Sequence, residues 1–257
     1  MDLILRGIIN YVSKKSGLKL ERYRESYLRR RLELRMRCLG IDDLSTYFRY
    51  LKTNDAEINE LLNVIAINVT EFMRDITPFE FFMKNILPEL SMRRKTLRFW
   101  SAGCANGEEA YSIAIAVLET LPECNFSVYA TDIDEDSLEK AKRGIYSREQ
   151  LKNLSGELVE KYFERVGDQF RVRDFVRRHV RFKRHDLTSE EPVTKFLDTI
   201  FCRNVMIYFT EEQKEKVIRD FYEALNSGGY LIIGKSESIP KGNFECVSLT
   251  EKVYRKI

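Results

Sequence analysis

An acid closing one apolar run, and glycines following another, could together hold a nucleoside. Leu97–Asp134 reads as strand, loop, helix and strand: LRFWSAG leads into CANG, EEAYSIAIAVLETL carries helical periodicity, and FSVYATDID brings Asp132 to a strand end. In a βαβ start of an open parallel sheet, the loop and the acid share one crevice at the carboxyl ends of the strands. Gly103 and Gly107 let the backbone turn tightly or approach a ligand without a Cβ clash. The Asp132 carboxylate can accept hydrogen bonds from two vicinal ribose hydroxyls.

What the loop lacks narrows the ligand. It is not G-x-G-x-x-G, and no G-x-x-x-x-G-K-[ST] phosphate cradle occurs in the chain. The following helix opens on Glu108 and Glu109, which suit a helix N-terminus but would repel a pyrophosphate. They tolerate a ligand bearing ammonium and sulfonium charges, as S-adenosylmethionine does. The same pair could serve only as helix-terminal charge, and the residues alone leave that open. With Asp132 in place, a methyl-donor site is favoured over a dinucleotide site.

These groups need a frame. Strand-like runs at 97–101, 127–132, 180–184, 197–202 and 229–234 alternate with helix-like runs near 108–121, 136–143 and 211–225. The alternation implies an α/β fold with a mostly parallel, doubly wound sheet, and FECVSLTEKVYRKI adds an antiparallel edge hairpin. Residues 1–65 show only short helices, broken at Ser16-Gly17 and at 40–43. The expected organisation is a helical domain at 1–65, a linker at 66–80 and an α/β domain at 81–257. Residues 145–180 fit the alternation poorly. A helix-like stretch, Ser147–Phe163, precedes β-prone pieces around Gly167-Asp168, read as a small inserted antiparallel β-subdomain.

Composition bounds the alternatives. With 257 residues, 44% of them hydrophobic, the chain can bury a sizeable core in one domain or two. A net charge of +3 is too small to imply a polyanionic partner. Five scattered cysteines without C-x-x-C, no apolar signal segment behind Met1 and no membrane-length run point to reduced thiols in a cytoplasm. Two histidines without ligand spacing make a metal site unexpected.

One charge cluster stands out. ERYRESYLRRRLELRMRCLG places Arg22, Arg24, Arg29, Arg30, Arg31, Arg35 and Arg37 on one expected helix, with Leu28, Leu32, Met36 and Leu39 as its apolar stripe. Glu21, Glu25 and Glu33 offset only part of the charge. Arginine grips carboxylates and phosphates bidentately, so the helix reads as a docking surface for an acidic partner. Charge alone does not choose between an acidic helix and a nucleic-acid backbone.

Six motifs, in order, then carry a family likeness. INVTEFMRD (67–75), FWSAGCANGEEAYSIAI (99–115), YATDID (129–134), KRGIYS (142–147), IFCRNVMIYF (200–209) and GGYLIIGKSES (228–238) together resemble the chemotaxis receptor glutamate O-methyltransferases of the CheR type. The resemblance implies a cytoplasmic, metal-free enzyme, monomeric, with a helical N-terminal domain and an S-adenosylmethionine-binding α/β domain. It implies methylation of glutamate carboxylates on the helical cytoplasmic domain of chemoreceptors, releasing S-adenosylhomocysteine, with neither nucleic acid nor membrane insertion involved. By the same likeness, Asn68, Thr70 and Arg74 match an N-x-T-x-F-x-R motif over donor and substrate. Glu109 matches the donor-binding glutamate after the Gly103 loop, and Asp132 the ribose-binding acid. Asp186 and Leu187 take the position lining the adenine, where Asp186 departs from a relative's asparagine. Arg203 and Asn204 fall beside the transferred methyl, and Tyr208 against the reacting carboxylate. Arg31, Arg35 and Arg37 are assigned to receptor docking.

Elementary chemistry agrees. A glutamate carboxyl ionises near ~4.3, so at neutral pH it is already the nucleophile and needs no general base. Desolvating and aligning it are the task, which suits a charge-assisted fork from Arg74 and one hydrogen bond from Tyr208. A nucleic-acid methyltransferase is the runner-up, but CRNVMIY lacks the D/N-P-P-Y/F of amino-methylating enzymes. A non-catalytic donor-binding regulator is the third reading, disfavoured by Arg74 and Tyr208. The stretch ERVGDQFRV is short, implying a tight hairpin without the longer glycine-rich loop by which some relatives hold a receptor's C-terminal peptide. Arg171, Arg173 and Arg177 leave open a charge-based capture of that tail.

Overall fold

Capping chemistry sets the limits of the first helix. α1 (Leu3–Ser16) begins where Asp2 accepts the Ile4 amide and stops at Gly17, whose φ of 75° only glycine adopts cheaply. α2 (Glu25–Leu39), α3 (Leu44–Thr53) and α4 (Asp55–Ile65) follow. Their shared core includes Leu5, Ile8, Val12, Leu28, Leu32, Tyr47, Leu51 and Leu61. Of the expected apolar stripe of α2, Leu28, Leu32 and Met36 are buried and Leu39 is half-buried, and the helix is shorter at its start. Arg22 lies in a preceding 3-10 turn, and Arg24 is the N-cap.

The computed structural model describes residues 2–65, 70–189, 193–240 and 242–257. Two compact units divide the chain, Met1–Ile67 with Tyr208–Lys214, and Asn68–Ile207 with Glu215–Ile257. Among the described residues, no helix is long and apolar enough to cross a membrane.

A helix runs across the expected boundary at residue 80 between linker and α/β domain. α5 (Thr77–Phe81) continues through a π-helical turn (Phe82–Ile86) into α6 (Leu87–Arg93). Pro78 sits in the first turn of α5, where a missing N–H costs nothing. Pro88 would break a regular helix, and the widened turn before it absorbs the irregularity. Phe79, Phe82, Ile86 and Leu90 are buried at helical spacing, with Phe82 edge-on to the rings of Phe99 and Phe201.

β1 (Thr96–Ala102), α7 (Glu108–Thr120), β2 (Asn125–Asp132) and α8 (Glu135–Arg143) form the expected βαβ start. The insertion holds β3 (Ile145–Tyr146), α9 (Gly156–Tyr162), β4 (Phe163–Val166), β5 (Gln169–Val172) and α10 (Asp174–Arg177). The expected helix over 147–163 survives only as α9, because Ser155 caps it at the Leu158 amide and Gln150 ties the Ser147 amide into a turn. β3, β5 and β4 make a small antiparallel sheet, with the β4–β5 hairpin turning through Gly167 at φ 60°.

β6 (Val180–Arg184), β7 (Leu197–Cys202), α11 (Glu211–Ala224), β8 (Leu225–Ile233), β9 (Phe244–Ser248) and β10 (Val253–Lys256) complete the chain. The large sheet runs β6-β2-β1-β7-β8-β10-β9, parallel through β8 and antiparallel at the β10–β9 edge. Strand order reverses between β1 and β7, so their carboxyl ends flank the crevice where ligands of such sheets bind.

Candidate active site

The loop after β1 is shaped by what it must pass. Gly103 has φ 81°, and a Cβ there would lie 2.4 Å from Val205 Cγ2; at Gly107, with φ 93°, it would lie 2.8 Å from the Ala141 methyl. Both glycines are therefore demanded by neighbouring protein atoms. The Gly103 and Cys104 amides donate to the Thr131 carbonyl, stapling this loop to the end of β2. Asp132 then receives the Ala105 amide on Oδ2 at 2.8 Å and the Asp134 amide on Oδ1 at 3.0 Å. Each carboxylate oxygen is fixed by one N–H and keeps lone-pair capacity for a second donor. Burial raises the Asp132 pKa, with those amide bonds opposing it.

Glu108 and Glu109 have different roles, although adjacent. Glu108 is fully buried, accepts from Gln150 Nε2 at 2.6 Å, and burial pushes its pKa up to about 7. Glu109 accepts from Ser101 Oγ at 2.7 Å and lies 3.7 Å from Arg203 Nη1. Burial raises the Glu109 pKa too, opposed first by the charge of Arg203 and later by that of Arg74. Burial also drives the Cys104 and Cys202 thiols well up, which leaves no thiolate nucleophile at this end of the sheet.

The segment before α5 is held over this end from two sides. The Phe72 amide donates to the Gln150 carbonyl, its own carbonyl accepts from Asn153 Nδ2, and its ring packs edge-on against Tyr146 and Phe163. The Met73 amide donates to Ser112 Oγ on α7. Thr70, half-buried, starts the segment; Arg74 lies between Met73 at φ 49° and Asp75 at φ 54°. Asp75 takes Arg203 Nη2 at 2.9 Å and lies 3.8 Å from Lys235 Nζ. Arg203 is thus a buried cation between Asp75 and Glu109, with its guanidinium over the Phe79 ring. Asn204 follows at φ 60°, and its buried Oδ1 has no hydrogen-bond partner. Four of the six described non-glycine residues with positive φ, Met73, Asp75, Ala105 and Asn204, belong to these loops. Such backbone costs on the order of 1 kcal/mol or more per residue and collects where function requires it.

Comparison with known proteins decides the family. Residues 68–253 match the CheR methyltransferase SAM binding domain, and residues 5–66 match the CheR methyltransferase all-alpha domain. The chain belongs to the CheR methyltransferase family. Among its relatives, a chemotaxis protein methyltransferase of Salmonella typhimurium is 36% identical over 92% of this chain and 84% of its own. Those of Borreliella burgdorferi and Vibrio parahaemolyticus are each 34% identical, over 98% and 100% of this chain and 93% and 97% of theirs. The protein is an S-adenosylmethionine-dependent methyltransferase.

Within this CheR methyltransferase, the expected site residues separate into groups. Thr70, Arg74, Gly103, Glu109, Asp132, Arg203 and Asn204 all lie on the segments just described, and Asn68 lies outside the described residues. Asp186 folds back on itself, accepting the Thr188 amide at 2.7 Å, and Leu187 lines a cleft of ≈ 220 Å³ beside Trp100 and His185. Tyr208 is part of the helical unit, where its ring stacks on Tyr27 at 4.4 Å. Arg35 departs from its expected docking role. It forks onto the buried Glu57 carboxylate at 2.7 and 2.8 Å, and Tyr47 completes that site. Arg31 lies over the Tyr27 ring, so Arg37 is the exposed member of the three. In the β-subdomain, Arg171 and Arg177 pair with Asp174, and Arg173 donates to the Glu160 carbonyl, which engages the arginines considered for tail capture.

Sequence reasoning missed Asp75, Ser101 and Glu237. Asp75 directly follows Arg74 in INVTEFMRD, and Glu237 sits in GKSES, so both were visible within motifs. Neither had a role until its partner came from another strand.

Proposed function

We propose that this enzyme transfers the methyl of S-adenosylmethionine to glutamate side chains on the helical cytoplasmic domain of chemoreceptors, giving methyl esters. The observation that carries the donor assignment is Asp132, its two oxygens fixed by loop amides at the switch point and still able to accept ribose hydroxyls. The buried, unpartnered Asn204 Oδ1 suits a donor ammonium, and Glu109, close to Arg203, offers a carboxylate at the same end of the sheet. Leu187 supplies an apolar wall for the adenine. Bound S-adenosylmethionine supplies an electrophilic methyl group on its sulfonium.

The chain's own work is placement. Arg203 lies between Asp75 and Glu109 and offsets part of their charge, which eases their mutual repulsion. Arg74 presents its guanidinium to the incoming carboxylate, and Tyr208 donates one hydrogen bond that orients the attacking oxygen. The substrate glutamate enters ionised, its proton already lost to solvent, so no residue need act as base. The names of the relatives support the chemotaxis substrate. Receptor docking falls to the exposed side of α2, where Arg30 and Arg37 flank Leu34, and Arg35 is reassigned to holding α2 on α4. The tight β4–β5 hairpin supports an enzyme that recognises the methylation region without a C-terminal tether.

The test is transfer of labelled methyl from S-adenosylmethionine to a receptor cytoplasmic fragment, with RNA and DNA offered in parallel. Base-labile label on the receptor fragment alone is expected. Label on nucleic acid, or on no acceptor, would refute the substrate assignment.

A further inference from the structure

The least expected charge at the carboxyl end of the sheet is Glu237, four residues beyond β8. Its side chain is buried, yet among the described residues no ion pair joins it to a cation. Instead Oε2 accepts the Gly234 amide at 2.6 Å and the Asn204 amide at 2.9 Å, while Oε1 accepts the Val205 amide at 3.1 Å. The donors come from two separate loops, one leaving β7 and one leaving β8. Glycine is required at 234, because a Cβ there would lie 2.7 Å from Glu237 Oε2 and 2.9 Å from the Asn204 nitrogen.

We propose that Glu237 is a positioning residue for methyl transfer: it fixes the β7 loop in the left-handed turn that aims Asn204 at the donor. The physical reason lies in the turn itself. An asparagine at φ 60° is strained relative to extended or helical backbone, and its amide must find an acceptor. A buried carboxylate that gathers this amide and the next holds the turn while anchoring it to β8. Only a group with two acceptor oxygens and no proton can take all three N–H bonds. Glutamine would set an NH2 against one of the amides, and aspartate is one carbon too short to span both loops. Val205, the third partner, is also the side chain that Gly103 must clear. Glu237 therefore also fixes the wall against which the donor loop turns.

The inference rests on reading Asn204 as a donor ligand, so the test separates the two. Donor affinity by calorimetry with S-adenosylhomocysteine, kcat and KM for methyl transfer, and thermal unfolding are compared for Glu237→Gln, Asn204→Ala and Asp198→Asn in the full chain. Asp198 is a buried carboxylate near the other end of β7 that likewise accepts a backbone amide. It controls for loss of stability alone. Glu237→Gln is expected to weaken donor binding about tenfold and lower kcat, with KM for the receptor little changed. Asp198→Asn is expected to lower the melting temperature while leaving donor affinity as in the parent. If Asn204→Ala weakens donor binding and a folded Glu237→Gln does not, the positioning role is wrong and the donor reading stands. If Asn204→Ala has no effect, the donor reading of Asn204 fails and the inference falls with it. Should Glu237→Gln not fold, hydrogen exchange on the unaltered protein decides. The Asn204, Val205 and Gly234 amides should exchange slowly and be slowed further together by S-adenosylhomocysteine; fast exchange at all three overturns the proposal.

Discussion

The two ends of strand β7 carry buried charge to opposite purposes. Toward its amino end, Asp198 accepts the Arg98 amide at 2.9 Å, Asn226 Nδ2 at 2.9 Å and Arg94 Nε at 3.0 Å. Both of its oxygens are engaged, within ordinary strand backbone. Past its carboxyl end, Arg203 and Asn204 have a buried Nε and a buried Oδ1 without partners, and Asn204 is left-handed. A buried polar group that is fully satisfied contributes stability, whereas one left open on strained backbone reserves its bonding capacity for a ligand. β7 thus carries an engaged buried carboxylate near its amino end and open polar atoms past its carboxyl end.

The largest expected effect tests the open end directly. Arg203→Ala leaves Asp75 and Glu109 without their shared cation, and methyl transfer should fall by roughly 100-fold or more, about 3 kcal/mol. Steady-state rates with receptor fragment measure it, and a rate within threefold of the parent would break the comparison. Asp132→Ala removes ribose hydrogen bonds and should weaken donor binding by roughly 1–3 kcal/mol, read by calorimetry. At the closed end, Asp198→Asn should cost about 2 kcal/mol in urea unfolding, because one oxygen becomes a donor facing donors.

A pH experiment sharpens the contrast between the adjacent glutamates. Glu108, held at about 7 by burial, binds its proton more tightly folded than unfolded, where a glutamate ionises near ~4.3. The stabilisation is therefore complete below the unfolded value and is lost as pH rises through about 7, amounting to on the order of 3–4 kcal/mol. Glu108→Gln should flatten that decline and exceed the parent in stability at about pH 8, as urea titrations at two pH values would show. The smallest effect belongs to the exposed arginines. Reversing Arg30 and Arg37 to glutamate should raise KM for receptor roughly fivefold and reduce its salt dependence, with kcat unchanged.

Most strands were legible because the sheet interior leaves little choice. β7 is buried at all six positions, and LDTIFC shows it as an apolar run even with Asp198 inside. The two glycines after β1 were legible because tight turns at positive φ against neighbouring side chains allow few residue types. The helix over 77–93 carries Pro78 and Pro88, which weaken its local helical signal, although Phe79, Phe82, Ile86 and Leu90 keep the helical period. Arg35 was misread because its partner, Glu57, lies 22 residues away on another helix. Glu237 and Asn204 are 33 residues apart and meet only because β7 and β8 are paired. Short-range patterns identify elements, but which charges are already engaged depends on tertiary pairing.

The helical unit is not a contiguous stretch of chain, and that bears on its biosynthesis. The Tyr23–Phe209 bridge, the Arg24 amide on the Tyr208 carbonyl, and the Tyr208 ring on Tyr27 all bring a late segment into an early unit. On the ribosome, the first four helices emerge long before residues 208–214 exist, so the unit waits, incomplete, while strands β1 to β7 are made. A fragment ending at residue 67 lacks that closing piece, and a graft of the helical half onto a different catalytic half would lack it too. Inheritance of the two units is thereby tied together: the peptide that follows β7 also completes the helical unit.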